Sequence, residues 1–247
     1  MRKKVFITGA SSGIGEYLAY AYAKQGYFVG LAARREDLLI QVASKCFEYG
    51  GDAKCYPLDV TNEKICKNTI EDFISLPGEV DTIYANAGVG GTDELSSGSS
   101  AAMNQVLLTN ILGVTNTVLP FIPHLKSKQS GKIAVISSVA SFRGLSHHSA
   151  YSGSKVAVRN FCQGWRNALY KYNVSFTAIC PGFIASEMTD GKDIPQPFKL
   201  KTDVAVDKII RAVERKKKVF VFPWQMKFIT VPLMKWGPDW LIRKFSM

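Results

Sequence analysis

Short apolar segments alternate with longer helical patterns along most of this sequence, and this alternation restricts the fold more than any other feature. Residues 4–8 and 28–32 are mostly apolar, and helical patterns at 14–25 and 36–49 follow them. Strands that alternate with helices of about 10 to 15 residues form right-handed βαβ units on a parallel sheet. The sequence therefore predicts an α/β fold, a doubly wound parallel sheet of about seven strands with helices on both faces.

The pattern also predicts bounds for each element. Predicted strands cover residues 4–8, 28–32, 53–57, 82–85, 133–137, 175–179 and 219–222. Predicted helices cover residues 14–25, 36–49, 62–74, 101–125, 149–172 and 202–216. Residues 190–196 are predicted to form a mobile flap. Because no repeat or linker interrupts the chain, we expect one domain over residues 1–222 and an extension over residues 223–247.

Composition places the chain among globular proteins. It has 247 residues, of which 47% are apolar and 21% charged, so one well-packed core is expected. No apolar run approaches the roughly 18–20 residues of a membrane-spanning helix, and no secretory signal precedes the first strand. The five cysteines form no CxxC pair, which indicates reduced thiols. We therefore expect a cytoplasmic protein, and no motif indicates a metal site.

The net charge of +11 is concentrated towards the C-terminus. From residue 211 onward, nine lysines and arginines face only two acidic residues. Such a segment attracts nucleic acid, anionic lipid or an acidic cofactor, or simply forms a solvated basic face. Nucleic acid is not expected as a partner, because no aromatic-studded basic sheet or recognition-helix motif accompanies the charge.

Three glycines lie where the first predicted strand passes into the first predicted helix, in the segment TGASSGIG of residues 8–15. Gly9 permits a tight turn, Gly13 lets the backbone approach a pyrophosphate, and Gly15 allows the helix to pack closely on the strand. The N-terminus of the helix would face the anion. The segment predicts a dinucleotide site in a Rossmann-like fold, with TGxxxGxG spacing instead of the broader GxGxxG.

TGxxxGxG resembles the signature of the short-chain dehydrogenase/reductase family, and further motifs follow in the family's order. Residues 86–88 read NAG, residues 151–155 read YSGSK and match YxxxK, and residues 181–186 read PGFIAS and resemble PGxxxT, with serine in place of threonine. Ser138 lies thirteen positions before Tyr151, and Asn110 falls where the family has a catalytic asparagine. The resemblance covers residues 5–222 and implies a homodimer or homotetramer that acts as an oxidoreductase on CH–OH groups.

The resemblance also implies a role for each motif residue. The catalytic residues would be Asn110, Ser138, Tyr151 and Lys155. The cofactor would contact Gly9, Ser11, Ser12, Gly13, Ile14, Gly15, Arg34, Arg35, Asp59, Val60, Asn86, Ala87, Gly88, Tyr151, Lys155, Pro181, Gly182, Ile184 and Ser186.

Residues 33–35 predict which cofactor binds. NAD-preferring members of the family usually have an aspartate where Ala33 stands, and that carboxylate repels a 2′-phosphate. Arg34 offers a guanidinium suited to phosphate, and Arg35 could assist it. We therefore expect NADPH/NADP+ with Arg34 as the primary contact, although Ser12 stands where NADP-dependent relatives often have a second basic residue.

Tyr151 and Lys155 are four residues apart, so they share one face of a helix. A free tyrosine ionises near pH 10, and a neighbouring ammonium is expected to lower that pKa. Ser138 would bind the substrate oxygen, Tyr151 would protonate it, and Asn110 would hold a water of a proton relay behind Lys155.

The substrate is predicted only as a class. Segments after Ser138 and Pro181 carry apolar side chains, which favour a small hydrophobic ketone or a lipid-like carbonyl compound or its alcohol. The side chains expected to form the pocket walls are Phe142, Leu145, Phe183 and Met188. The alternative is a catalytically silent NADP(H)-binding or sensing protein of the same fold, which the four filled catalytic positions disfavour.

The extension over residues 223–247 is not explained by the family's motifs. It contains three tryptophans interleaved with lysines, and two internal prolines divide it into short pieces. It could form a lid, a subunit interface, or a weak peripheral contact with the inner face of an anionic membrane. The run Lys216–Lys218 is expected to add charge to such a contact.

Overall fold

The computed structural model describes residues 1–187 and 196–240. A seven-stranded parallel sheet forms its centre, in the order β3-β2-β1-β4-β5-β6-β7, which confirms the predicted fold class. The strands are β1 Lys3–Thr8, β2 Phe28–Ala33, β3 Asp52–Pro57, β4 Glu79–Ala85, β5 Gly131–Ile136, β6 Val174–Pro181 and β7 Val219–Phe222.

Helices cover both faces of the sheet. They are α1 Gly13–Ala23, α2 Glu36–Glu48, α3 Glu63–Ser75, α4 Ala101–Leu107, α5 Gly113–Val118, α6 Ile122–Lys128, α7 Ser149–Ala168, α8 Thr202–Glu214 and α9 Val231–Trp236. Helices α1, α2 and α8 pack on one face, where Leu18, Leu39 and Ile209 are fully buried. Helices α3, α5, α6 and α7 pack on the other face, where Phe73 and Phe121 are fully buried.

The sequence predicts one helix over residues 101–125, but the structure divides residues 101–128 into five short helical pieces. A π-helical turn over Leu108–Leu112 and a 3₁₀ turn over Leu119–Phe121 separate α4, α5 and α6. Pro120 and Pro123 accompany the later irregularity, since proline donates no backbone hydrogen bond. The π turn carries Asn110, so this irregularity sets the direction of a predicted site residue.

One helical stretch meets the length and composition of a membrane-spanning helix, although no such helix was expected. Among the described residues, the stretch Ala101–Lys128 is long and apolar enough to cross a membrane, by length and composition alone. A search of the sequence for one uninterrupted apolar run misses this stretch, because the polar residues Thr109, Asn110 and Thr117 interrupt it. All three of these polar side chains are buried, and the stretch packs its apolar side against the sheet. One side of the stretch is therefore buried in this domain, while Leu108, Leu112 and Leu119 on it are exposed.

The strand order reverses next to β1, which pairs with β2 on one side and β4 on the other. Connections leave this point in opposite directions, so a crevice opens beyond the carboxyl ends of the strands. Gly30 of β2 keeps the sheet close to its helices, because a Cβ there would lie 2.6 Å from the ring of Phe6 and 2.7 Å from that of Phe73. Because the strands are parallel, the loops that follow them all lie at one edge of the sheet.

Candidate active site

A cavity of about 660 Å³ lies at this edge. Residues that follow the strands β1 to β6 line it, as expected for a parallel sheet. The predicted site residues that line it are Gly9, Ser11, Ser12, Gly13, Ile14, Arg34, Arg35, Asp59, Val60, Asn86, Ala87, Gly88, Ser138, Tyr151, Lys155, Pro181, Gly182, Ile184 and Ser186. The structure therefore brings together all but two of the predicted residues, and Gly15 and Asn110 lie behind the wall.

The glycine loop fits tightly against the loop after β4. Gly9 has φ +66°, and a Cβ there would lie 2.9 Å from the backbone of Ala87. A Cβ on Gly15 would lie only 2.2 Å from the carbonyl oxygen of Gly9, which explains why Gly15 is inside the wall. Asn86 holds the two loops together, since its Nδ2 donates to the carbonyl oxygens of Thr8 at 2.9 Å and Gly9 at 3.1 Å.

Arg35, and not Arg34, contacts the glycine loop at the rim of the cavity. Its Nη2 donates to Ser12 Oγ at 2.8 Å and to Ser11 Oγ at 3.2 Å. The same nitrogen pairs with Glu187 Oε2 at 3.0 Å. Hydrogen bonds from Arg35 and then Ser12 lower the pKa of the Glu187 carboxyl. An exposed Arg–Glu pair therefore joins the two sides of the rim, and Glu187 was not among the predicted site residues.

Arg34 lies on the same rim and faces Asp59. Burial of this carboxyl favours the neutral form, but hydrogen bonds from Thr61 and the charge of Arg34 together lower its pKa. Among the described residues, no side chain or carbonyl group accepts a hydrogen bond from Arg34. Its guanidinium is therefore available to an anionic ligand in the cavity.

Tyr151, Ser138 and Lys155 meet at the inner end of the cavity. Helix α7 carries Tyr151 and Lys155 four residues apart, and Ser138 follows β5. The Ser138 hydroxyl lies near enough to the phenol of Tyr151 to influence its pKa, and it accepts a hydrogen bond from Ala140 N at 3.1 Å. The Lys155 Nζ lies 5.6 Å from the centroid of the Tyr151 ring. This arrangement places two hydroxyl groups and one ammonium at the same end of the cavity.

Burial controls the acidity of these groups. It raises the pKa of the Tyr151 phenol, and the hydrogen bond from Ser138 opposes this only in part. It also lowers the pKa of the Lys155 ammonium to about 8. Burial is the largest cause of this shift and the charge of Lys155 is not among its causes, so the expected depression of the tyrosine pKa by Lys155 is not found in the structure. Tyr151 keeps its proton at neutral pH, as a proton donor must.

Asn110 lies in the π turn, behind the wall of the cavity. Its side chain is fully buried in the π turn, where Oδ1 accepts from Val89 N at 2.8 Å and Nδ2 donates to Val89 O at 2.9 Å. Nδ2 also lies 3.1 Å from Ser154 Oγ. A Cβ on Gly88 would lie 3.1 Å from Asn110 Oδ1 and 3.3 Å from Lys155 Nζ. Asn110 therefore fixes the loop after β4 beside Lys155, and the water relay expected of it stays a prediction.

The side chains expected to form the walls of the substrate pocket do not line this cavity where the structure describes them. Phe142, Leu145 and Phe183 are not among the residues that line the cavity. Phe142 instead packs under Arg159, whose guanidinium lies 4.5 Å from the ring centroid. Met188 and the predicted flap, apart from Gln196, lie outside the described residues. The lining residues that were not predicted are Ala33, Leu58, Val89, Gly90, Thr109, Ile136, Ser137 and Glu187.

Most of these missed residues stand next to a recognised motif. Val89 and Gly90 continue the NAG segment, while Ile136 and Ser137 precede Ser138. Adjacency at a strand end was therefore a usable signal. Thr109 could not be found in this way, because the direction of its side chain depends on the π turn.

The residues around the cavity fit a dinucleotide. Gly9 and Gly13 have positive φ, and a Cβ on Gly13 would lie 3.3 Å from Ser186 Cβ, so glycine keeps this cradle open. The first backbone N–H groups of α1 lack helical partners and attract an anion. Arg34 and Arg35 add positive charge at the rim. Within residues 1–187 and 196–240, no group of three or more His, Cys, Asp or Glu side chains could hold a metal ion.

Comparison with known proteins agrees with this geometry. An uncharacterized oxidoreductase of Myxococcus xanthus is 33% identical over 224 residues, which cover 91% of this chain and 88% of the relative. The 11-beta-hydroxysteroid dehydrogenase-like 2 protein of Arabidopsis thaliana is 40% identical over 191 residues. That match covers 76% of this chain but only 61% of the plant protein.

Among solved structures, an alcohol dehydrogenase from Thermococcus sibiricus, complexed with 5-hydroxy-NADP, superposes with a TM-score of 0.79. It is 27% identical, and the match covers 90% of this chain and 96% of that one. The family model described as short chain dehydrogenase matches residues 3–196. This chain therefore belongs to the short-chain dehydrogenase/reductase family of oxidoreductases.

Proposed function

We propose that this oxidoreductase uses NADPH to interconvert an apolar carbonyl compound and its alcohol. The observation that carries the proposal is the cluster of Ser138, Tyr151 and Lys155 at the inner end of the cavity. The Ser138 hydroxyl lies near the phenol, and burial raises the pKa of the phenol, which therefore keeps its proton at neutral pH. These features are what the reduction of a carbonyl group requires of the protein.

Each residue of the cluster has a distinct task in this proposal. The Ser138 hydroxyl binds the substrate oxygen, and the Tyr151 phenol donates its proton to that oxygen as negative charge develops there. The Lys155 ammonium stabilises the phenolate that remains. Asn110 positions Lys155 by fixing the loop after β4 beside it. Bound NADPH supplies the hydride.

Two features support NADPH over NADH. Ala33, which is buried, places no carboxylate at the end of β2, and Arg34 and Arg35 follow it on the rim of the cavity. An arginine in this position accommodates a 2′-phosphate. The alcohol dehydrogenase from Thermococcus sibiricus was solved in complex with 5-hydroxy-NADP, which supports the same preference.

An apolar substrate is supported by the side chains near the cluster. Val89, Ile136 and Ile184 line the cavity there. Several plant relatives are named for hydroxysteroid dehydrogenases, which is consistent with a hydrophobic ketone or alcohol. The silent binding protein is less well supported, because such a protein does not need a buried lysine beside a serine–tyrosine pair. The oligomeric state and cytoplasmic location stay predictions.

The test combines binding and turnover. The wild type is screened with apolar ketones by the loss of NADPH absorbance, and Tyr151→Phe is tested on each active substrate. We expect the variant to bind NADPH as the wild type does and to lose at least about 10³-fold in kcat. Tyr170→Phe is the control, since Tyr170 is 83% exposed. Activity of Tyr151→Phe within tenfold of the wild type would assign the proton to another group.

A further inference from the structure

The segment after β7, residues 223–240, packs one side firmly onto the loops around the cavity. Met226, Val231 and Met234 are buried on this side. Met226 lies against the loop after β6, because a Cβ on Gly182 would meet its Cγ at 2.8 Å. The segment is therefore a fixed part of the domain.

Arg143 fastens the other end of the segment. It follows the short turn that begins after Ser138, and its Nη1 donates to Met234 O at 2.9 Å and Gly237 O at 2.8 Å. Arg143 also forms an ion pair with Asp239. The segment is thus attached to the same loop that carries a predicted catalytic residue.

The opposite side of the segment exposes large apolar side chains, which we call the aromatic patch. Its members are Trp224 at 64% exposed, Phe228 at 64%, Ile229 at 54%, Trp236 at 78% and Trp240 at 60%. Exposed apolar side chains that cluster in this way indicate a contact surface, whereas scattered ones need no explanation. Tryptophan is the side chain most typical of the interface between water and lipid.

The charge around the aromatic patch is positive. Lys227 and Lys235 are exposed on the same segment, and their Nζ atoms lie 4.7 Å and 5.9 Å from the ring centroids of Phe228 and Trp236. The acidic residue of the segment, Asp239, is neutralised by Arg143. An ammonium group beside an aromatic ring matches a surface with anionic headgroups over an apolar interior.

The run Lys216–Lys218 is not part of this surface. It precedes β7, whereas Trp224 follows it, so the four-residue strand separates them by about 13 Å. The contribution of these lysines to a membrane contact stays a prediction.

A second copy of the chain is a weaker candidate for this surface. A symmetric dimer would bring the lysines of both copies into one interface, and like charges there repel. Anionic headgroups instead neutralise Lys227 and Lys235. We propose that the aromatic patch docks this protein reversibly on anionic lipid surfaces, with the loop after Ser138 close to the lipid. This proposal does not depend on the proposed function, because binding is measured without turnover.

Flotation with vesicles tests the proposal on the full chain. Vesicles of phosphatidylcholine alone are compared with vesicles that also contain phosphatidylglycerol. We expect the protein to float with the anionic vesicles at about 0.01 M salt and to be released at about 1 M, where the Debye length falls from about 30 Å to about 3 Å. Tryptophan emission should shift to shorter wavelength when these vesicles are added.

Two variants test the patch itself. Lys227→Glu/Lys235→Glu should weaken binding more than about tenfold, since each lysine near an anionic surface contributes about 1 kcal/mol. Phe228→Ala/Trp236→Ala should weaken it through loss of apolar contact. Matched controls make the same changes at exposed positions elsewhere: Lys64→Glu/Lys208→Glu for charge and Phe47→Ala/Tyr170→Ala for aromatic area. Circular dichroism verifies that each variant is folded.

Three results would overturn the proposal. One is wild-type protein that stays with the solvent at low salt. Another is patch variants that bind as tightly as their matched controls. The third is a dimer in solution that the patch variants dissociate while no form of the protein floats, which would assign the surface to a second copy.

Discussion

The cavity buries polar side chains, whereas the segment after β7 exposes apolar ones. At the cavity, Lys155 Nζ donates to Ile136 O at 2.9 Å. Behind the wall, both the oxygen and the nitrogen of the Asn110 amide form hydrogen bonds with the backbone of Val89. In the segment, Trp236 is 78% exposed. Both arrangements cost free energy, since burial of a charge and exposure of a large apolar group are each unfavourable. Such local costs are expected where function requires them. The buried polar groups indicate chemistry in the cavity, and the exposed apolar groups indicate a contact surface on the segment after β7.

The largest stability effect is expected where the two regions touch. Met226→Ala removes the side chain that packs against Gly182, and we expect it to lower the free energy of unfolding by about 3 kcal/mol. Phe228→Ala, on the exposed side of the same segment, should change it by less than about 0.5 kcal/mol. Urea denaturation measures both. An equal loss of unfolding free energy in the two variants would contradict the assignment of Met226 to a buried side and Phe228 to an exposed side of the segment.

A smaller effect is expected from the lysine of the cavity. Its pKa is about 8 in the folded protein against an ordinary value of 10.5, so below pH 8 the buried ammonium opposes folding. Stability should rise between these two pH values, where the unfolded chain still binds the proton and the folded one does not.

Lys155→Met should therefore raise the free energy of unfolding at pH 7 by about 2 kcal/mol, after allowance for the unpaired Ile136 carbonyl, while turnover is lost. The gain should fall as the pH rises and become a loss of about 1 kcal/mol above pH 10.5, where only the cost of the unpaired Ile136 carbonyl is left. Lys64→Met, at an exposed lysine, is the control and should show neither change. A destabilised Lys155→Met at pH 7 would mean that the ammonium is favourably paired and not merely buried.

The rim of the cavity should respond more weakly. Arg34→Ala is expected to raise the Kd for NADPH about tenfold and to leave that for NADH unchanged, because a charge-assisted hydrogen bond contributes about 1.5 kcal/mol or more. Fluorescence titration with both cofactors measures this. If Arg35→Ala has the larger effect, the contact with the 2′-phosphate belongs to Arg35.

The smallest effect is expected at the pair that joins the two sides of the rim. Glu187→Gln frees Arg35 for the cofactor and should tighten NADPH by about two- to fivefold, since an exposed ion pair contributes less than about 1 kcal/mol. NADH serves as the internal control. Weaker NADPH binding would instead show that Glu187 holds Arg35 in its binding position.

Much of the cavity could be predicted because its residues are set by local backbone requirements. Gly9 needs positive φ, and Tyr151 and Lys155 need only one helix to share a face. The contact partners could not be predicted in this way. Arg34 and Arg35 are adjacent in sequence, and only the position of Glu187, 152 residues further on, distinguishes their roles. Phe142 was misjudged for the same reason, since Lys235 and Arg159 reach its ring from distant elements.

The sequence by itself determined the order of strands and helices, the glycine cradle and the residues at the strand ends, because short-range periodicity and backbone geometry encode them. Only the tertiary structure decided how acidic the buried groups are and which side of each element meets another. Lys4 illustrates this, since it appears in sequence as a charged strand residue but is fully buried, with Nζ donating to Phe73 O at 2.9 Å and Leu76 O at 2.6 Å. Desolvation and long-range contacts depend on residues far apart in the chain, so a local pattern does not contain them.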